Sequence, residues 1–133
     1  MACPTCGSDR LSSPVPPSVH RMLETVPASI LCCPHCLRLD PDAEPDDANS
    51  YPDFSAVSSA LPSDPAAAVA VLLLVDRLSS LALNRRPIES LVEHLESAGV
   101  DPLLALDRLD DDPELEPAVD LRGRRAQLAQ LLE

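Results

Sequence analysis

Apolar and polar positions alternate differently in the two halves of this chain. Between residues 10 and 40 the apolar positions come in short pieces broken by prolines. Arg10 to Val15 can form a strand, which Pro16-Pro17 stop. Pro17 to Thr25 can make one or two helical turns, because proline is tolerated at the first helical position. Ala28 to Cys32 predicts a second strand.

Further along the chain the period becomes helical. Ser63-Asp64-Pro65 is a helix start, a capping side chain followed by proline. The helix is expected to run to about Leu83, and from Ala66 to Val75 it is apolar on all faces, as a central buried helix must be. Ile88, Leu91, Val92 and Leu95 form one stripe at helical spacing, ended by Gly99. Asp101-Pro102 restarts a helix carrying Leu103, Leu104, Leu106 and Leu109, and Asp110-Asp111-Asp112-Pro113 breaks it. A last helix is expected from about Pro117 to Leu132, with Gly123 costing it about 1 kcal/mol relative to alanine.

The expected fold is α+β and mainly α: a small four-cysteine head followed by a compact cluster of about four helices. Three zones follow from composition. Residues 1–40 hold all five cysteines and balance three arginines against three acids. Residues 41–53, PDAEPDDANSYPD, carry five acids and three prolines and read as a solvated linker. Residues 54–133 hold seven arginines against fourteen acids and read as a helical domain. The head has too little apolar surface to fold without a metal on its cysteines, whereas residues 54–133 are expected to retain their helicity without it.

Composition narrows the function classes. The 22 acids against 10 bases give a formal net charge of −12, every base is arginine, and aromatics make up 2%, too few for base- or sugar-stacking platforms. A lysine-free, aspartate-rich surface suits a salt-adapted protein. The longest apolar run, Ala66 to Val75, has ten residues, well short of a membrane span of roughly 18. With no secretory signal pattern, the expected compartment is the cytoplasm, where thiols stay reduced and cysteines read as metal ligands before disulfides.

The strongest chemistry is Cys3-Pro4-Thr5-Cys6-Gly7 with Cys33-Pro34-His35-Cys36. Two intervening residues let both thiolates of a pair face one point, and two such knuckles supply a tetrahedron. Cys3, Cys6, Cys33 and Cys36 are therefore the expected ligands of one structural Zn²⁺. Cys32 is the alternative to Cys33 as ligand, but it breaks the knuckle spacing and is expected to pack as a small buried apolar residue. His35 points away from a knuckle's metal, and His20 and His94 read as surface groups. Iron is the rival metal, since rubredoxins are similar in using paired knuckles, but their cores are aromatic and residues 1–40 hold no Trp, Tyr or Phe.

CPTCG, CPHCL, PDFS at Pro52 to Ser55, SDPAAAV at Ser63 to Val69, GVDPLLALDRL at Gly99 to Leu109 and the closing PAVDLRGRRAQLAQLLE together resemble an uncharacterised family of small haloarchaeal proteins. The resemblance implies a cytoplasmic protein with a zinc-ribbon-like head and a helical tail, and it implies no activity. Cys32, directly before the second knuckle, departs from that pattern.

No phosphate-binding glycine loop and no catalytic Ser/His/Asp arrangement is recognisable, so an enzyme is not expected. A structural-zinc protein that binds a protein partner or a second copy is the leading reading. The Ala66–Leu83 helix has more apolar faces than so small a domain can cover, so some of it should meet either the head or another chain, with Val71, Leu74, Leu78 and Leu81 as the candidate contact stripe for a docked partner. The alternative is a nucleic-acid-associated transcription or translation factor, with Arg122, Arg124 and Arg125 as candidate phosphate contacts. A rubredoxin-like electron carrier ranks below both. The Asp110–Asp112 run reads as a solvated acidic face rather than a cation site, and the three arginines can equally pair with acidic helices near a helix C-terminus.

Overall fold

The computed structural model describes residues 2–23, 25–43 and 50–132. In chain order the elements are β1 (Leu11–Pro14), α1 (Pro17–Met22), β2 (Ser29–Cys32), β3 (Leu39–Pro41), α2 (Pro65–Arg77), α3 (Arg85–Ser97), α4 (Pro102–Asp110) and α5 (Leu121–Leu131). Short 3₁₀ turns at Phe54–Ala56 and Leu78–Ser80 lead into and out of α2. The protein is mainly helical, with a small sheet beside the cysteines.

The sheet is antiparallel in the order β1-β2-β3, with Leu11 opposite Cys32, and Cys32 opposite Leu39. β3 is additional to the two expected strands. Most of the 41–53 segment read as a linker follows it, and residues 44–49 of that segment lie outside the described residues.

Aspartates begin the helices. Asp64 accepts from the Ala67 N–H at 3.3 Å, Asp101 from the Leu103 N–H at 3.0 Å, and Asp120 from the Gly123 N–H at 3.2 Å. Each satisfies a donor that the first helical turn leaves without a partner. Part of the acidity of this chain is thus structural.

Two helix boundaries differ from expectation. α2 ends at Arg77 rather than near Leu83, because side chains take its last carbonyls: Ser79 Oγ donates to Asp76 O at 2.8 Å and the Asn84 amide to Arg77 O at 3.0 Å, the same amide also donating to Ser80 O of the following 3₁₀ turn at 2.9 Å. α5 starts at Leu121 rather than Pro117, because the backbone N–H groups of Glu116 and Ala118 are drawn to carbonyls of the second cysteine knuckle instead of a helix.

α2 lies at the centre, with every residue from Ala67 to Val75 buried. α3 packs on it through Ile88, Leu91, Val92 and Leu95, the stripe expected from spacing. Val19, Leu23, Ile30, Cys32 and Leu37 of the first 40 residues belong to the same continuous core as α2. This corrects the partner stripe. Val71, Leu74 and Leu78 are fully buried inside the chain and Leu81 packs partly buried against that core, because the head and α3 cover the faces that a helix cluster alone would leave open. Among the described residues, no helix is long and apolar enough to cross a membrane.

Candidate metal centre

The two Cys-Pro-x-Cys turns fold alike. In the first, the Gly7 N–H donates to Cys3 O at 2.8 Å and the Cys3 N–H to Ser8 O at 2.8 Å. In the second, the Leu37 N–H donates to Cys33 O at 3.0 Å and the Cys33 N–H to Arg38 O at 3.0 Å. Both turns require a left-handed residue after their second cysteine. Gly7 takes it at φ 80°, and Leu37 at φ 64°. The first turn is closed by a bridge between Ala2 and Asp9, and the second joins β2 to β3.

These turns bring Cys3, Cys6, Cys33 and Cys36 together, with their sulfurs all within 4.8 Å of one another. Cys3 and Cys36 sulfurs are 3.7 Å apart, Cys6 and Cys36 3.9 Å, and Cys6 and Cys33 3.2 Å. A tetrahedral ion with metal–sulfur bonds of about 2.3 Å needs sulfurs about 3.8 Å apart, so the four can hold a metal ion. Cys3, Cys33 and Cys36 are buried and Cys6 is exposed.

The knuckle backbones prepare the sulfurs unequally. Burial raises the Cys3 thiol, but N–H groups of Cys6 and Thr5 outweigh it and bring Cys3 down to about 6. The Ser8 N–H and hydroxyl lower Cys6. Burial pushes Cys33 up, and Cys36 up to about 12. Arg38 stands beside the cluster and donates to Thr5 Oγ1 at 3.0 Å, tying the second knuckle to the first. Asp40 pairs with Arg38 at 3.2 Å and with Arg10 at 2.9 Å, so one carboxylate of β3 braces both.

Cys32 is not in the cluster. Its side chain is fully buried in the main core, and that burial pushes its thiol up to about 12. His35 faces Glu116, with Nε2 3.5 Å from the carboxylate. The Glu116 N–H donates to His35 O at 2.9 Å and the Ala118 N–H to Cys36 O at 3.0 Å, so the loop before α5 is stitched to the second knuckle. No periodicity marks this pairing in the sequence. The alternation of Arg38 and Asp40 about Leu39 is the faint trace of β3.

Arg122, Arg124 and Arg125 are engaged within the chain. Arg122 lies 3.5 Å from Asp110, Arg125 lies 3.0 Å from Asp107, and Arg124 reaches Gln127 at 3.0 Å and Ser79 O at 3.4 Å. They lie among the first five residues of α5, where the helix dipole opposes them, rather than at a helix C-terminus. The carboxylates of α4 offset this. In the Asp110–Asp112 run, Asp110 faces Arg122, while Asp112 accepts from Ser58 Oγ at 2.7 Å and from the Glu114 N–H at 2.9 Å.

Residues 2–132 match the model of a family described as "Family of unknown function (DUF6276)". No curated protein and no solved structure matches the chain.

Proposed function

Because the chain belongs to DUF6276, a family of unknown function, we propose its role from the site itself: a small interaction protein stabilised by one structural zinc ion. The observation that carries this reading is the convergence of four cysteine sulfurs on two matched knuckles. Four thiolates complete a tetrahedron and leave no position for water or substrate, so an ion held there braces the fold rather than performing chemistry. Thiolate ligands suit zinc or iron. Zinc is the metal of choice because residues 1–40 lack the aromatic surroundings of rubredoxin iron. The lysine-free acidic surface supports a salt-adapted, haloarchaeal-like source.

With the α2 stripe used internally, a protein partner or second copy must meet other surface. Among the described residues, Leu83 at 85%, Leu104 at 45% and Leu132 at 39% exposure are the large apolar side chains left for such contact. The nucleic-acid reading has less support, since Arg122 and Arg125 already face carboxylates. A pull-down at high salt, with and without nuclease, tests the pair. A reproducible protein partner that survives nuclease agrees with the proposal, and capture that depends on DNA or RNA replaces it.

A further inference from the structure

A cavity of about 360 Å³ opens where the end of α1 meets α2 and α3, and none of its lining residues belongs to the metal centre. That volume is at the small end of ligand pockets and suits a small molecule. Met22, Leu23 and Pro87 give it an apolar wall, and Thr25, Arg86 and Ser90 a polar one. Arg86 and Ser90 lie one turn apart on α3, so they share a face of that helix. Within the chain, Thr25, Arg86 and Ser90 have no side-chain partner among the described residues. Arg77 also lines the cavity but is paired to Asp76 at 2.7 Å, so Arg86 is the lining charge without a partner among the described residues.

Two further features favour a negative ligand. No carboxylate lines the cavity among the described residues, in a chain with a net charge of −12. Asn84, at the N-cap of α3, makes no capping bond, because its amide is turned back to Arg77 O and Ser80 O. The first turn of α3, which carries Arg86, therefore keeps its positive end without a side-chain cap.

We propose that this cavity binds a small anion, phosphate or carboxylate, attached to an apolar group. Arg86 pairs with the charge, Thr25 and Ser90 donate hydroxyl hydrogen bonds, and Met22, Leu23 and Pro87 cover the apolar part.

The test titrates the full metal-loaded chain with phenyl phosphate, benzoate and inorganic phosphate at constant ionic strength, following amide NMR shifts. Saturable binding of phenyl phosphate or benzoate is expected, tighter than inorganic phosphate, and the two arms identify the anionic group. Arg86→Ala should weaken it about tenfold or more, as loss of a charge-assisted hydrogen bond does. Arg108→Ala removes the same charge from an exposed position on α4 and should leave it nearly unchanged. Three results overturn the proposal: no saturation with any of the probes, equal weakening by both variants, or inorganic phosphate binding as tightly as phenyl phosphate.

Discussion

Gly7 and Leu37 answer the same conformational demand with opposite means. Glycine accepts a left-handed backbone without strain, whereas leucine there costs about 1–2 kcal/mol. Leu37 is also 2% exposed and lies in the main core, and burying a leucine contributes about 1.5–3 kcal/mol. Burial outweighs strain, so Leu37→Gly should lower stability despite relaxing the backbone. Gly7→Ala meets no atom within 4 Å and should cost only the strain, about 1–2 kcal/mol. Denaturant melts of the two variants check both signs. Cys32 and Cys33 part in the same way: Cys32→Ser should keep the metal while losing stability, because a hydroxyl replaces a thiol buried in the apolar core, and Cys33→Ser should lose the metal. Metal content per chain decides, and loss of metal from Cys32→Ser would contradict the ligand set. The clustering of the four cysteines was legible because spacing alone places two sulfurs on one side of a turn. Leu37 was not, because its unusual backbone follows from the knuckle and not from its own side chain.

At the scale of elements, α2 organises everything else. Leu74 is fully buried at its centre, so Leu74→Asp should place an unpaired charge in the core and cost about 4 kcal/mol or more, a large share of a stability of about 5–15 kcal/mol. Circular dichroism should show loss of cooperative melting. A folded variant that merely dissociates would restore the partner stripe. Helix starts were legible wherever Asp-Pro declares a cap and a first turn, as at Asp64 and Asp101. The ends were not, since Asn84 and Ser79 act from sequence positions that carry no general stop signal. Gly123 reads in sequence only as a weak helix residue. In the fold its missing side chain leaves room for the Asp120 cap, whose carboxylate a β-carbon would strike. Gly123→Ala should therefore fail to deliver the gain of about 1 kcal/mol that helix propensity promises, and a thermal melt beside the parent chain measures it.

For the whole molecule, head and helices share one apolar core, and the loop before α5 hydrogen-bonds the second knuckle. Composition suggested separable zones because a proline-rich acidic stretch divides them; contacts across that stretch leave no periodic trace. With the core shared, metal removal should destabilise the helices as well as the head. Thermal unfolding should be one transition that shifts down together at all wavelengths after chelation. Two transitions, with only the lower one metal-dependent, would instead return the molecule to two independent modules. Structural zinc sites contribute apparent binding energies of about 10–16 kcal/mol at neutral pH, comparable to the whole stability of a small domain. The most direct measurement is therefore the metal itself, counted in protein purified under reducing conditions without added metal. The account predicts one zinc per chain, lost when Cys33 is replaced by serine. A red, iron-loaded protein, or a metal-free protein with its helices and melting temperature intact, would contradict it.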